Sequence, residues 1–264
     1  MKHIFLFALI LGTQPVHATS MEYVDSFEDT AEFSSPTEAD LAVEEAETTF
    51  GAGRGYDQWS YAFVLIRPNG SEVTLSEHNR HALLKPASTI KLFTGYWAMK
   101  RRFQLSYLGR MLKTSNNNMA QTTINRLGGP ANMRQYYAGL GLHVGAFHPA
   151  DGSGLSYSNQ TSCDFQVRFL SLVRRSEGYQ TFRNLLAQPG AYGTLDRRLL
   201  DLSGRVFAKT GTLNRTANLS GFLETSSGTV VFCATGDYLS TSVASARQKI
   251  DQLVRSNFRK SRSR

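Results

Sequence analysis

An apolar run fills 59–67 apart from Ser60 and Arg67, it breaks at Pro68-Asn69-Gly70, and polar and apolar residues alternate through 71–75. Two strand-like segments rich in aromatic and β-branched residues on either side of a strong turn signal predict a β-hairpin. After a loop ending at Pro86 the period changes: Ile90, Leu92, Phe93, Tyr96 and Trp97 recur at three- and four-residue steps. That pattern predicts a helix over 88–100 with Ser88 in its first turn. The stretch 106–202 is mostly helical in pattern, punctuated by Gly128-Gly129-Pro130, a glycine-rich segment at 151–154 and Pro189-Gly190. Apolar runs at 206–209, 217–224 and 229–234 read as strands. Val243, Ala246, Ile250, Leu253 and Val254 then share one face of a final helix ahead of a basic tail, 259–264. Strands, helices, strands and a last helix, with no internal repeat, predict a mixed fold of α+β or α/β class: an antiparallel sheet with flanking helices and a helical subdomain.

The chain ahead of the hairpin has a different character. Residues 1–18 begin with Lys2 and His3, run through an apolar stretch at 4–11 and end on Val16-His17-Ala18. They read as a secretory signal peptide cleaved after Ala18, the apolar run being shorter than the roughly 20 residues of a spanning helix. Residues 19–55 read as an acidic flexible leader, with ten Asp and Glu and no Lys or Arg from Thr19 to Gly53. One folded domain, 56–264, remains. From Arg54 onward there are 28 basic and 11 acidic residues, a surface suited to an anionic polymer. Export to the periplasm, or beyond it, makes such a polymer cell wall rather than nucleic acid. Export also permits a disulfide between Cys163 and Cys233, although their spacing does not pair them, and Cys233 reads more readily as a small buried residue than as a redox group. The six histidines include no His-x-x-x-His pair and no acidic companion at ligand spacing, so neither a metal nor another cofactor is expected.

Three short motifs carry the chemistry. In Ser88-Thr89-Ile90-Lys91 a helix would set the lysine amine beside the serine hydroxyl. Serine needs an adjacent base to act as a nucleophile, and a lysine serves when burial and nearby positive charge lower its pKa. Taken alone the pattern is close to chance, and a helix N-cap with a solvated lysine explains it as well. Ser115-Asn116-Asn117 falls at a break between helical segments; Ser115 could relay a proton to a leaving amine and Asn117 could hold a substrate backbone. A polar turn is the plainer reading of that cluster. Lys209-Thr210-Gly211-Thr212 closes a short strand. There Lys209, Thr210 and Thr212 could hold a carboxylate, Gly211 could admit a substrate backbone, and the N–H groups of Thr212 and Ser88 could form an oxyanion hole. The three together, in this order, are far less probable by chance than any one.

In these motifs the chain resembles the penicillin-binding protein 4 family of D-Ala-D-Ala carboxypeptidases and endopeptidases. The resemblance extends to Leu83-Leu84-Lys85-Pro86-Ala87 ahead of the serine, Met111-Leu112-Lys113-Thr114 ahead of Ser115, Asp151-Gly152-Ser153-Gly154-Leu155-Ser156, and Asn218-Leu219-Ser220-Gly221 after the last motif. It covers about 59–258 and implies the serine β-lactamase and penicillin-binding transpeptidase-like fold. It further implies Ser88 as nucleophile, Lys91 as base, Ser115 as proton relay, and Asn117, Lys209, Thr210, Gly211 and Thr212 as substrate-binding residues. Peptidoglycan would be the substrate and β-lactams covalent inhibitors. Members commonly carry two further domains between the first and second motifs, where this chain has only the 23 residues 92–114; an open site that admits cross-linked peptides is the expectation. A wall hydrolase of that kind also invites an inhibitor protein. Asp151 reads as an edge of the site, although some β-lactamases keep a deacylating carboxylate at a similar distance from the second motif. The rival readings are a β-lactamase and a non-catalytic penicillin sensor or wall-binding module.

Overall fold

A computed structural model describes residues 57–263. The expected signal peptide and acidic leader lie outside these residues. Five strands form one antiparallel sheet in the order β2-β1-β7-β6-β5: β1 (Gln58–Ile66), β2 (Glu72–His78), β5 (Val206–Leu213), β6 (Thr216–Thr225) and β7 (Gly228–Asp237). Between β2 and β5 come α1 (Lys91–Lys100), α2 (Leu105–Thr114), α3 (Asn117–Arg126), α4 (Gly129–Gly139), the short pair β3 (Phe147–His148) and β4 (Gln160–Thr161), α5 (Cys163–Arg175) and α6 (Tyr179–Asn184). The closing helix α7 (Val243–Arg262) absorbs most of what the sequence presents as a basic tail.

Both faces of the sheet are covered, and the strands' period of two sorts residues between them. On β1, Ala62, Val64 and Ile66 face the cluster built by α1 to α6, whereas Phe63 and Leu65 face the opposite cluster. On β7, Val231 and Cys233 take the first face and Val230, Phe232 and Ala234 the second. Continuous apolar runs are the consequence. The stacked rings of Phe63 and Phe232, 5.3 Å apart, tie neighbouring strands together, and Ala246, Ile250 and Val254 of α7 cover that side at four-residue steps. Val243 and Leu253 pack at the margin of the same cluster.

The helical side is organised around Phe93 of α1, whose ring meets those of Tyr137, Phe147, Phe165 and Phe169 at 4.5–5.5 Å. Tyr137 donates its buried hydroxyl to the Phe93 carbonyl at 2.6 Å. These contacts hold the helix that carries Lys91 two residues away. Cys163, opening α5, and Cys233 of β7 form a disulfide with Cα atoms 5.3 Å apart across 70 residues of sequence. The link joins the helical layer to the sheet, a pairing that spacing alone left open.

Closing a loop of that length restricts the unfolded chain enough to stabilise the fold by about 2–4 kcal/mol. Replacing both cysteines with alanine should lower the denaturant midpoint accordingly and, because the unfolded chain is then less compact, steepen the slope; an unchanged midpoint would deny the disulfide a stabilising role.

Candidate active site

Ser88 sits on a single 3-10 turn, Ala87–Ile90, that runs directly into α1, rather than in the first turn of an α-helix. Pro86 precedes the turn, and Ala87 takes a left-handed backbone with φ 45°, a strained conformation for an L-residue. The Thr89 hydroxyl and N–H both donate to the Pro86 carbonyl, at 2.7 and 3.1 Å. A 3-10 turn has three residues per turn, so residues three apart eclipse; Ser88 and Lys91 are brought together more directly than on an α-helix. The approach to the turn is pinned as well. The Lys85 carbonyl accepts from Asn218 Nδ2 at 2.8 Å, and the Lys85 ammonium lies 3.4 Å from the buried carboxylate of Asp237. Gly211 lies under the turn, where a Cβ would stand 2.8 Å from the Pro86 carbonyl oxygen. That glycine lets the strand approach the serine turn, which is a different service from admitting a substrate backbone.

Lys91 is fully buried, and its Nζ has three oxygen neighbours. Ser88 Oγ is at 2.8 Å, Asn117 Oδ1 at 2.7 Å, and the Ser153 carbonyl oxygen completes the set. The amide oxygen and the carbonyl can only accept. A neutral amine has two N–H groups and one lone pair, so the acceptors take the N–H groups and the lone pair is left for the Ser88 hydroxyl. Burial lowers the Lys91 pKa to about 7, against a smaller raising effect from the Asp151 carboxylate. The sequence reading gave Lys209 a share in this; burial is the main cause here, as it is for Lys209, whose pKa is lowered by burial and, second, by the charge of Lys91.

Asp151 explains the glycine-rich segment. Its Oδ1 accepts from the N–H groups of Ser153 at 2.9 Å and Gly154 at 2.5 Å and from Asn159 Nδ2 at 3.1 Å; its Oδ2 accepts from the Ser156 N–H at 2.7 Å. The carboxylate therefore folds the loop that aims the Ser153 carbonyl at Lys91. Two glycines let this loop wedge inward: a Cβ at Gly152 would meet the Ile124 side chain at 2.5 Å, and one at Gly154, where φ is +88°, would overlap the Ala87 carbonyl. Asp151 thus holds the segment from within.

Ser115 terminates α2 in a left-handed conformation, φ 61°. The polar cluster then divides its labour: Asn116 caps α3 by accepting from the Met119 N–H at 2.9 Å, while Asn117 turns to Lys91. Lys209 donates to Ser115 Oγ and to the Thr210 carbonyl, each at 2.9 Å, and burial holds its pKa well below the ordinary lysine value. It has no exposed surface and lies beneath the groove, not along it. The strand carrying it continues to Leu213 on the sheet edge, farther than its apolar start suggests. Ala208 donates outward from that edge to the Ala187 carbonyl at 3.0 Å; alternation along the strand therefore turns the N–H groups of Thr210 and Thr212 outward too.

The groove along this edge encloses about 410 Å³, and Ser88, Ser115, Asn117, Thr210 and Thr212 line it. So do Thr194, Arg198 and Arg247, which no motif singled out. Thr194 accepts from the Thr210 hydroxyl at 2.8 Å, and Arg247 donates to Thr212 Oγ1 at 2.9 Å. Arg247 occupies an intermediate position on a helix read only for its apolar face, so periodicity passed over it. A larger cleft of about 820 Å³, bordered by β2, α4 and α5, shares no residue with this groove.

Fold and site together define the active-site-serine class to which β-lactamases and penicillin-binding proteins belong. Within it, the chain belongs to the D-Ala-D-Ala carboxypeptidase 3 (S13) family, whose sequence profile matches residues 105–258. That span contains Ser115, Asn117, Asp151 and the Lys209 motif; Ser88 and Lys91 precede it and rest on geometry. A D-alanyl-D-alanine carboxypeptidase of Actinomadura sp. (strain R39) is 29% identical over 139 residues, 46% of this chain and 26% of the relative. The chain thus spans about a quarter of the curated relative it matches. Among solved structures, penicillin-binding protein 4 of Haemophilus influenzae in complex with a β-lactam is 24% identical with a TM-score of 0.50, covering 58% of this chain and 40% of that one. The Bd0816 predatory endopeptidase of Bdellovibrio bacteriovorus, in complex with immunity protein Bd3460, has the same identity and score, covering 58% and 43%. The TLA-1 extended-spectrum β-lactamase, at 14% identity, has a TM-score of 0.64 over 83% of this chain and 98% of its own. These structures share the fold.

Lys91 accepts the Ser88 proton only when neutral, so acylation of Ser88 by a penicillin should speed up as pH rises toward about 7 and level off above. Asp151→Asn removes the charge that raises this pKa, so the limb should move to lower pH. Stopped-flow acylation rates across the range decide the matter; a flat profile would remove Lys91 as the base.

Proposed function

We propose that the protein is an exported serine-type D-Ala-D-Ala carboxypeptidase and DD-endopeptidase that trims peptidoglycan stem peptides and opens their cross-links. The observation that carries this reading is the buried Lys91 amine, 2.8 Å from Ser88 Oγ with its N–H groups occupied by acceptors. Lys91 takes the Ser88 proton as Oγ bonds to the D-alanyl carbonyl carbon. The N–H groups of Ser88 and Thr212 receive the oxyanion, each worth roughly 3–4 kcal/mol in comparable acyl transfer. Ser115, held by Lys209, relays the proton that Lys91 took to the departing amine as the C–N bond breaks, so its own hydroxyl is restored and Lys91 is neutral again. Water then attacks the ester and restores Ser88. Penicillin enters the same path: attack opens its four-membered ring and leaves an ester on Ser88.

A β-lactamase must clear that ester quickly. Here the Asp151 carboxylate is engaged by four donors of its own loop, which leaves it poorly placed to activate a deacylating water. A long-lived penicilloyl-enzyme fits the peptidase better. The basic surface suits an anionic wall in the periplasm. Because Bd0816 is seen with an immunity protein, a periplasmic inhibitor that occupies the open groove is a natural partner for this enzyme too.

Digestion of defined muropeptides, with products identified by mass, tests the proposal. Release of D-alanine from pentapeptides and conversion of dimers to monomers are expected. Ser88→Ala should lower both on the order of 10⁴-fold or more and abolish penicillin labelling. Labelling that survives in Ser88→Ala, or rapid nitrocefin turnover without peptide cleavage, would overturn it. Stable labelling with no product from any peptide would instead identify a sensor or binding module.

A further inference from the structure

Ser88 Oγ is only as well placed as the turn that carries it, and that turn is strained. Ala87 holds φ 45°, where an L-residue is disfavoured, and Pro86 before it has no N–H to anchor. Lys85 is therefore the last residue ahead of the strain that can be gripped by its N–H as well as its carbonyl. The carbonyl is taken by Asn218 Nδ2 at 2.8 Å, while the N–H and the side-chain ammonium both turn to Asp237, 3.3 Å from Oδ2 and 3.4 Å from Oδ1. The Asp237 carboxylate is buried at the end of β7. Thr216 Oγ1 at 2.6 Å and the Tyr238 N–H at 2.9 Å also donate to it, a need that a neutral acceptor could meet; only the Lys85 ammonium calls for a charge. The rings of Tyr157 and Tyr238 stand 4.8 and 4.5 Å from that ammonium, and with 14% of the Lys85 side chain exposed the pair is screened less than a surface one. Its far end is firm as well, since Arg215 donates to the carbonyls of Tyr238 and Leu239 at 2.9 and 2.8 Å.

Resting on Ser88 as the nucleophile of the peptidase reading, we propose that Asp237 is a positioning residue that acts through Lys85: its carboxylate holds the left-handed turn at Ala87 and so keeps Ser88 Oγ within reach of Lys91. Asp237 does not line the groove. Its loss therefore slows attack by Ser88 without weakening binding, and leaves the pH limb set by Lys91 where it was. Because Asp237 opposes strain at one backbone position, its effect depends on the residue there. Glycine takes φ > 0 at little cost, so Ala87→Gly should make Asp237 dispensable.

Stopped-flow acylation by a penicillin separates the binding constant from the acylation rate constant. Asp237→Asn removes the charge and sets an NH₂ group among the Lys85 donors; it should lower the rate constant by about 10–100-fold, with the binding constant and the pH limb unchanged. In the Ala87→Gly background the same substitution should cost no more than about 3-fold. A wild-type rate in Asp237→Asn, an equal loss in both backgrounds, or a loss confined to binding would overturn the proposal. Lys85→Met, which removes the ammonium and leaves Asp237 its other donors, goes through the same cycle with the same outcomes, so a failure of Asp237→Asn to fold leaves the question decided. If a penicillin leaves wild-type Ser88 unmodified, the peptidase reading fails, and amide exchange across residues 85–90 settles the role of Asp237: exchange about 10-fold faster in Asp237→Asn supports it, and unchanged exchange overturns it.

Discussion

A primary amine buried among three oxygen atoms is the constraint from which the rest of the site follows. Taking the Lys91 ammonium out of water is costly, and the fold lowers that cost by letting the proton go. In the unfolded chain Lys91 keeps its proton to near the ordinary value of 10.5, whereas in the folded state it releases it at about 7. Between these values the unfolded chain binds more protons, so rising pH favours the fold; below them the burial penalty stands in full. The same desolvation that weakens the structure near neutrality makes the amine a base there. Stability and reactivity draw on one term with opposite signs.

Holding that amine in place takes elements distant in sequence. The 3-10 turn supplies Ser88, the first residue of α3 supplies Asn117, and the loop folded around Asp151 supplies the Ser153 carbonyl. α1 is anchored from below by the rings around Phe93 and tied to the loop by the Thr94 hydroxyl, 2.9 Å from the Gly152 carbonyl. Left-handed backbones at Ala87 and Ser115, each costing of order 1–3 kcal/mol, stand at the two serines. Strain there is sustained by the surrounding packing: Gly154 presses against Ala87, and Asn116 caps the helix that follows Ser115.

What was legible in the sequence has a common physical form. The hairpin, the closing helix and the sheet strands announce themselves by periodicity, since burial on one or both faces dictates which positions are apolar. Ser88, Lys91, Ser115, Asn117 and Lys209 are recognisable because their chemistry demands fixed residues at short spacing. Contacts made across long separations leave no such trace. The Asp237 support beneath Lys85 spans 152 residues, and the Cys163–Cys233 pairing spans 70. Ser153 acts through its carbonyl, which any residue possesses, so its side chain signals nothing. Gly211 invited a reading toward substrate, but its bare Cα faces Pro86.

The two lysines and Arg247 show how one groove can separate jobs among groups of like charge. Three cations at full charge within a dry pocket would repel one another. Burial lowers the pKa of both Lys91 and Lys209, whereas a guanidinium, whose ordinary value is far higher, keeps its charge. The lysines are thereby left to hold and move protons at Ser88 and Ser115, and the arginine, half-exposed at the mouth, keeps the permanent charge. Depth in the fold thus sorts chemistry by residue type: amines that titrate lie inside, where burial tunes them. A cation that must stay charged lies where solvent still reaches it, as Arg247 does beside Thr212.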